Sequence, residues 1–305
     1  MSSRPPGRGL LYGAAAYGLW GLFPLYWPLL KPAIAVEILG HRVLWSAITI
    51  SLVVTLMRRW GDVRAVWRDR RSRMLLSSAA LVISLNWSIY IYGVNSGRVV
   101  ETSLGYFINP LVTVLMGVLV LSEKLRRVQW AALGLAAGAV VVLTLDYGRL
   151  PWIALVLAFS FGTYGLLKKQ AGVDALASLT IETVVLSPLA AGYLVWLGLQ
   201  GDSGFVAHGA GHTALLMTTG LVTVIPLLFF GAAAIRLPLV TIGLLQYLAP
   251  VLQFLLGVFW YHESMPAARW IGFTLVWVAL ALFTLEAVQH RRRHLRLLGE
   301  AAVPV

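Results

Sequence analysis

The sequence predicts an all-α integral membrane protein whose ten transmembrane helices form two five-helix repeats of inverted topology. Three observations lead to this fold class. Hydrophobic residues make up 59% of the 305-residue chain and charged residues only 12%, whereas soluble domains carry about a quarter charged residues. Apolar stretches long enough to cross a bilayer recur along the whole chain. Finally, a characteristic stretch in the first half has a counterpart in the second half.

Ten apolar stretches, separated by charged or turn-rich breaks, are candidate transmembrane helices. Each approaches the roughly 20 residues that a helix needs to cross the hydrocarbon core. In chain order the predicted spans are 9–29, 36–57, 74–95, 100–121, 127–145, 151–168, 176–198, 213–235, 239–260 and 268–288. The first is too long for the apolar core of a cleaved signal peptide. We therefore expect it to remain as the first helix.

The basic residues indicate how the chain is oriented, because Lys and Arg are enriched in cytoplasmic loops. If the N-terminus is cytoplasmic, nineteen of them lie in inner segments and four in outer segments. Trp60, Val63 and Trp67 have helical spacing within the Arg-rich segment 58–71, which favours an amphipathic helix on the inner membrane surface. The sequence thus predicts a multi-pass protein of the bacterial cytoplasmic membrane with both termini inside. The net charge of +12 reflects this topology, and no nucleic acid partner is expected.

The internal repeat emerges when the chain is compared with itself at a shift of 140 residues. That shift aligns SLGYFINPLVTVLMGVLVLSEK (103–124) with GLLQYLAPVLQFLLGVFWYHES (243–264). The informative matches are Pro110 with Pro250, Gly117 with Gly257, Glu123 with Glu263 and Trp130 with Trp270. Because each repeat holds five spans, the second copy must enter the membrane from the opposite side. We expect repeat 1 over 1–147, repeat 2 over 148–290 and a basic cytoplasmic tail over 291–305.

Two prolines lie near the middle of the fourth and ninth spans. Proline has no N–H and clashes with the carbonyl four residues earlier, so the carbonyls of Tyr106 and Gln246 lose their usual helical partner. Lipid cannot satisfy such groups. We therefore interpret Pro110 and Pro250 as hinge positions that face the protein interior, with a packing kink as the alternative.

Ionisable residues within or beside the spans are candidates for coupling or gating, because retaining one at a span centre costs about 2.5–3.5 kcal/mol. They are His41, Arg42, Glu101, Glu182 and Arg236. We expect Arg42 to pair with Glu101 or Glu37 in an outer cluster. We expect Glu182, which matches His41 at a shift of 141 residues, to pair with Arg236 in an inner cluster. The clusters would close a cavity alternately. Without a nearby cation, Glu182 would become a proton-coupling candidate, and a structural ion pair is the alternative.

Neutral polar and aromatic residues within the spans are candidates for substrate binding. They are Trp20, Asn86, Tyr90, Tyr106, Asn109, Gln246 and Tyr247. Hydrogen bonds between helices and contacts with lipid are the alternative roles. Gly134 and Gly138 form a GxxxG pair in the fifth span, which we expect to make a close internal contact rather than a dimer contact. The sequence leaves both a monomer and a homodimer open.

Several stretches resemble a known family of membrane proteins. The mirrored halves are similar to the EamA domains of the drug/metabolite transporter superfamily. The stretches that resemble its RarD-type branch, often labelled chloramphenicol-sensitive proteins, are VEILGHRVLWS (36–46), ETSLGYFINPL (101–111), the Glu123 turn, PWIALVLAFSFGTYGLLKK (151–169), IETVVLSP (181–188) and TVIPLLFFGAAAIRL (223–237). The resemblance implies ten helices, of which the first four of each half surround a central cavity and the fifth lies at the periphery. It does not imply a substrate.

Inverted repeats are typical of secondary transporters. We therefore expect a secondary active transporter that moves small amphipathic or amino-acid-like solutes by alternating access, in the export direction and with a proton as the candidate coupling ion. An integral-membrane enzyme and a passive channel are the alternatives. An enzyme needs clustered catalytic groups or metal ligands, but the chain has no Cys, and its five Asp lie in predicted loops. We expect no catalytic residues, metal or cofactor, and bilayer lipid and a small-molecule substrate as partners.

Overall fold

A computed structural model describes residues 6–121, 125–234, 236–237 and 239–301 of the chain. All regular secondary structure within these ranges is helical. In chain order the α-helices are α1 (Pro6–Gly21), α2 (Phe23–Tyr26), α3 (Ala35–Leu56), α4 (Trp60–Arg68), α5 (Arg70–Asn95), α6 (Val99–Leu121), α7 (Arg127–Tyr147), α8 (Trp152–Ala171), α9 (Ala175–Gln200), α10 (Gly209–Ala234), α11 (Leu239–Leu245), α12 (Leu248–Leu255) and α13 (Ala267–Ala301). A 3₁₀ turn (Trp27–Leu30) follows α2, and a π turn (Leu256–Trp260) follows α12.

Eight helical segments in the described part of the chain are long and apolar enough to cross a membrane. They are Ala35–Leu56, Arg70–Asn95, Val99–Met116, Arg127–Tyr147, Ala175–Gln200, Gly209–Ala234, Thr241–Trp260 and Ala267–Gln289. The predicted span 9–29 is divided among α1, α2 and the 3₁₀ turn, and the predicted span 151–168 corresponds to α8. The all-α, multi-pass membrane class is therefore confirmed, whereas the count of ten inverted spans stays a prediction.

The helices pack in a defined set of pairs. Helix α3 contacts α9 and α10, while α5 contacts α8 and α9. Helix α1 contacts α10 and α12, and α6 contacts α8 and α12. Helices α7 and α13 pack mainly against each other, through an apolar cluster that includes Leu143 and Phe273. They therefore lie at the margin of the bundle.

Glycines allow two of these helix pairs to approach closely. A Cβ atom added to Gly220 on α10 would lie 2.3 Å from the backbone oxygen of Trp45 on α3. A Cβ atom on Gly105 of α6 would lie 2.8 Å from the backbone oxygen of Ala154 on α8. By contrast, Cβ atoms on Gly134 and Gly138 would meet nothing within 4 Å. The expectation that this GxxxG pair makes a close internal contact is wrong.

The two predicted hinges differ in local structure. The ninth span is interrupted between α11 and α12, at Gln246 and Tyr247, next to the carbonyl that Pro250 leaves without a donor. The fourth span, α6, stays helical through Pro110, because a helix can absorb one lost hydrogen bond by bending. Pro250 is buried and Pro110 half-buried. Their roles as hinges stay predictions.

Candidate functional site

A buried arginine lies where α3, α5 and α10 meet. Arg42 is 4% exposed, and its Nε donates a hydrogen bond to the hydroxyl of Thr223 at 2.9 Å. Its guanidinium carbon lies 3.8 Å from the ring centroid of Trp87, 5.1 Å from that of Trp27 and 5.8 Å from that of Phe23. Aromatic rings attract cations at such distances. Three aromatic side chains and one hydroxyl therefore hold this cation.

The expected ion pair of Arg42 with Glu101 or Glu37 is wrong in this structure. Among the described side chains, no carboxylate oxygen lies within the 4 Å that defines an ion pair with its guanidinium. Glu101 instead pairs with Arg149 at 2.6 Å, and Glu37 accepts a hydrogen bond from the Gly204 N–H at 2.6 Å. Glu37 and Arg42 are five positions apart on α3 and so face different directions. Each carboxylate thus finds a donor in a nearby loop.

Further polar groups near Arg42 lack partners. The Tyr90 hydroxyl and the Trp27 Nε1 are buried without a hydrogen-bond partner among the described residues. The rings of Tyr90 and Tyr106 meet edge to face at 5.5 Å. The phenols of Tyr26, Tyr90 and Tyr106 lie within electrostatic range of the guanidinium. We call the following residues the Arg42 cluster: Arg42, Trp27, Trp87, Tyr90 and Tyr106.

An apolar groove of about 230 Å³ lies near Arg42 and is open to the outside of the bundle, since Leu19, Leu22 and Leu221 in its wall are exposed. It lies between α10 and the segment formed by α1 and α2. Its lining residues are Leu19, Leu22, Phe23, Tyr26, Leu221, Val222, Ile225 and Pro226. Phe23 contributes to the groove wall and also lies near the Arg42 guanidinium. Phe23 therefore links the aromatic surroundings of the cation to a groove in which a small apolar group could lie.

Four of the predicted substrate-binding residues lie in or beside the Arg42 cluster. Tyr90 and Tyr106 belong to it, and Trp20 packs against the apolar cluster that contains Trp27 and Tyr90. Asn86 donates to the backbone oxygen of Leu157 at 3.0 Å and to the hydroxyl of Ser160 at 2.9 Å. It also accepts a hydrogen bond from the Tyr106 hydroxyl at 3.1 Å. Asn86 therefore ties α5 to α6 and α8.

The other three predicted substrate-binding residues lie elsewhere. Asn109 is directed towards Gly162 on α8, and its side-chain oxygen is buried without a described partner. Gln246 lies at the interruption between α11 and α12. Tyr247 packs against the apolar cluster that contains Phe273, between α6, α7 and α13. The structure does not bring these three side chains together with Arg42.

The expected ion pair of Glu182 with Arg236 is also wrong. Glu182 is 1% exposed and pairs with Lys168 at 2.8 Å. It also accepts hydrogen bonds from the hydroxyls of Ser178 at 2.7 Å and Tyr164 at 3.1 Å. Lys168 lies in the last turn of α8, which a short loop joins to α9. The condition for proton coupling, a Glu182 without a nearby cation, is therefore not met here.

Arg236 interacts with a different part of the bundle. Its guanidinium carbon lies 5.4 Å from the ring centroid of Tyr12 on α1, and its Nη1 donates to the backbone oxygen of Ala232 at 2.6 Å. Because α10 packs against α1, Arg236 shortly after the end of α10 meets α1 rather than α9. Its predicted gating role stays a prediction.

His41 faces the loop between α9 and α10. Its ring stacks on Phe205 with centroids 4.8 Å apart, and its Nε2 is buried without a described partner. His212 lies at the same end of the bundle, where its Nε2 is 2.9 Å from the backbone oxygen of Leu30. His41 is therefore placed between the bundle and its covering loop, as a gating residue would be.

Glu263 caps the start of α6, which lies in the other predicted repeat. Its carboxylate accepts hydrogen bonds from the Val99 N–H at 2.5 Å and the Val100 N–H at 3.1 Å, at the start of α6. Burial raises the pKa of Glu263 to about 7, although these two N–H groups oppose the shift. The carboxylate borders a polar cavity of about 350 Å³ that Glu101 and Arg149 also line. Glu123, the counterpart in the first repeat, lies outside the described residues.

Sequence reasoning missed Trp27 and Thr223 around Arg42, and Arg149 and Lys168 as partners of the buried carboxylates. Trp87 stands between Asn86 and Tyr90 on the third span, and the sequence alone makes it a candidate wall residue of an apolar cavity. Thr223 and Trp27 carry no such signal, because their relation to Arg42 depends on how distant helices pack. For Lys168, the three-residue connection between α8 and α9 could have suggested the pairing.

Comparisons with known proteins agree with this architecture. The EamA-like transporter family matches residues 7–145. Protein RarD of Streptomyces exfoliatus is 59% identical over 296 residues, which cover 97% of this chain and 94% of that protein. The uncharacterized transporter YojE of Bacillus subtilis is 43% identical over 291 residues, covering 93% and 96%. One crystal structure, 18% identical, has a TM-score of 0.60 over 92% of this chain and 98% of its own, and so shows the shared fold alone.

The identity to Protein RarD extends over almost the whole length of both chains. It therefore includes every helix that contributes to the Arg42 cluster and to the buried ion pairs. The chain belongs to the RarD-type branch of the EamA-like transporter family and is a multi-pass membrane transporter.

Proposed function

We propose that the protein is a secondary active transporter that carries small amphipathic or amino-acid-like solutes across the bacterial cytoplasmic membrane by alternating access. Its five-helix repeats, 1–147 and 148–290, would form two inverted halves around a central site. The basic segment 291–305 and both termini would lie in the cytoplasm, as the distribution of Lys and Arg predicts. Export is part of this proposal, and a proton stays the candidate coupling ion, although Glu182 has Lys168 beside it in this structure.

The pairing of helices is the observation that supports it. If each helix corresponds to the helix five spans later, the counterparts are α1 with α8, α3 with α9, α5 with α10, α6 with α12 and α7 with α13. The contact of α5 with α8 then corresponds to that of α10 with α1, and the contact of α6 with α8 to that of α12 with α1. The contact of α3 with α10 corresponds to that of α9 with α5. This is the pattern expected for two related halves, which can open in turn to either side.

Different polar contacts tie the helices at the two ends of the bundle. At one end Glu101 pairs with Arg149, and at the other Glu182 pairs with Lys168. We propose that each pair holds its end closed and breaks when that end opens. Glu101 and Glu182 thus keep their gating roles with cations other than those expected from the sequence. His41 and Arg236, one at each end, would support the respective closures.

Reconstitution into proteoliposomes tests the proposed function. Ligands are first selected by their ability to raise the melting temperature of the purified protein, from a panel of amino acids, aromatic acids and chloramphenicol. A carrier should then show saturable counterflow, in which unlabelled solute inside drives uptake of labelled solute. Flux without counterflow would indicate a channel, and chemical conversion of the solute would indicate an enzyme. Imposed pH gradients of either direction test proton coupling and export.

A further inference from the structure

We propose that the Arg42 cluster binds the carboxylate of the transported solute, and that the solute is a small organic acid with an aromatic or apolar body. The transport part of this inference rests on the proposed function, whereas the binding part stands on the geometry alone. Arg42 would then be a substrate-binding residue instead of half of a gate. The proposed ligands are therefore compounds in which a carboxylate is attached to an apolar group.

The charge of Arg42 is not balanced by a described carboxylate. A buried cation is normally paired, because leaving it unpaired in a low-dielectric environment is costly. The described carboxylates nearest in sequence and fold, Glu37 and Glu101, are already engaged with other donors. In the part of the chain that the structure describes, Arg42 therefore has no anionic partner. A solute anion would supply the missing charge.

Arg42 and Tyr90 have hydrogen-bond donors that no described acceptor engages. Thr223 accepts from Nε, but no described acceptor engages the terminal Nη1 or Nη2 nitrogens. A guanidinium can bind both oxygens of a carboxylate through two parallel hydrogen bonds, which a lysine cannot do. Tyr90 is 3% exposed, and its buried hydroxyl also lacks a described partner. These groups together form a set of donors suited to a carboxylate.

The side chains around the Arg42 guanidinium are mainly aromatic and apolar. Trp87 and Trp27 hold the cation by cation–π attraction, which does not neutralise its charge. The nearby groove of about 230 Å³ is apolar and open to the outside of the bundle, and Phe23 lines it and also lies 5.8 Å from the guanidinium carbon. Roughly 150 Å³ of apolar cavity is enough to hold benzene. A phenyl group or a branched alkyl chain would therefore fit beside the bound carboxylate, whereas inorganic phosphate would leave the apolar space unfilled.

The binding test uses the purified full-length protein and three matched pairs of probes. The acids are benzoate, phenylacetate and 3-phenylpropionate, and each is compared with its primary amide, which has nearly the same shape without the charge. Inorganic phosphate tests for general oxyanion binding. We expect at least one acid to raise the melting temperature in a saturable way, with its amide at least tenfold weaker and phosphate without effect. Equal responses to acid and amide, a response to phosphate alone, or no response to any acid would overturn the proposal.

Variants test whether Arg42 is the residue responsible. Arg42→Gln should fold, because it removes a buried cation without an anionic partner, and it should lose the response to the acid. Arg42→Lys keeps the charge but not the paired donors, and should bind at least tenfold more weakly. Tyr90→Phe removes a hydroxyl that has no partner among the described residues, and should weaken binding severalfold at unchanged melting temperature. Lys169→Gln on α8 and Tyr193→Phe on α9 are controls that should bind as the parent does.

The same variants separate failure of this inference from failure of the proposed function. Acid binding that depends on Arg42 but is never accompanied by counterflow would refute the transport mechanism and leave the binding site in place. Counterflow that persists unchanged in Arg42→Gln would refute the site and leave the transport mechanism in place. If Arg42→Gln does not fold, Tyr90→Phe and Arg42→Lys decide, since acid binding unchanged in both would overturn the proposal.

Discussion

At the scale of single residues, the buried carboxylates and the buried guanidinium of Arg42 have different kinds of partner. Glu37, Glu101 and Glu182 are each at most 2% exposed, and each accepts a short hydrogen bond from a loop N–H or a basic side chain. Arg42 is held mainly by aromatic rings. The carboxylates are therefore satisfied within the protein, while the guanidinium keeps a capacity to bind an anion.

The pair between Glu182 and Lys168 should contribute measurably to stability. Lys168→Met would leave the carboxylate of Glu182 buried with only the hydroxyls of Ser178 and Tyr164. Removing one partner of a buried pair costs about 3–5 kcal/mol, and partial exposure of Lys168 favours the lower end. We expect a loss of about 3 kcal/mol in the free energy of unfolding, largely recovered in the Lys168→Met/Glu182→Gln double variant. Lys169→Met is the matched control, and equal losses in both lysine variants would contradict this assignment.

Stability should depend on pH through Glu263. Burial raises the pKa of Glu263 from 4.5 to about 7 in the folded state, so between these values the folded protein binds more protons than the unfolded chain. Stability contributed by this group must therefore fall as the pH rises from 4.5 to 7, and stay constant above. We predict that the melting temperature of the parent relative to Glu263→Gln decreases between pH 5.5 and pH 8. A difference that is constant or increases would contradict the prediction, and Asp202→Asn serves as the control for an exposed acid.

At the scale of helices, the sequence predicted where helices begin better than it predicted which helices contact each other. The start of α3, α5 or α6 lies within a few residues of its predicted position, because apolar length and charged breaks are local properties. The ion pairs were predicted wrongly, since they depend on which helix ends meet. Arg149 reaches Glu101 from the loop before α8 because α6 packs against α8. No pattern within either helix encodes that contact.

The close approach of α3 and α10 should be sensitive to one added methyl group. In Gly220→Ala the new Cβ would meet the backbone of Trp45 at 2.3 Å, so the helices must separate. Overpacking of this kind typically costs about 1–3 kcal/mol. Gly231→Ala on the same helix is the matched control, because its Cβ meets nothing within 4 Å. Thermal unfolding should show a clear loss only for Gly220→Ala, and equal melting temperatures would show that the helices do not meet at this glycine.

At the scale of the whole molecule, the membrane class and the family were accessible from sequence, while the site was accessible only in part. Composition and the repeated Pro–Gly–Glu pattern are properties of the sequence, so they can be recognised without a structure. Among the residues expected to bind substrate, Tyr90 and Tyr106 lie in the Arg42 cluster, whereas Tyr247 packs against the marginal helices. The sequence indicates that such residues lie in spans, but not which direction they face after the helices pack.

The central claim, two inverted five-helix halves, is tested most directly by cysteine labelling across the membrane. The chain contains no Cys, so single substitutions at two exposed, equivalent positions, Gly61→Cys and Asp202→Cys, can be compared in intact cells with a membrane-impermeant thiol reagent. Five predicted spans separate these positions. We predict that Asp202→Cys is labelled from outside and Gly61→Cys only after the cells are opened. If only the eight helices that meet the spanning criterion cross the membrane, four would separate them, and labelling of both positions from the same side would contradict the account.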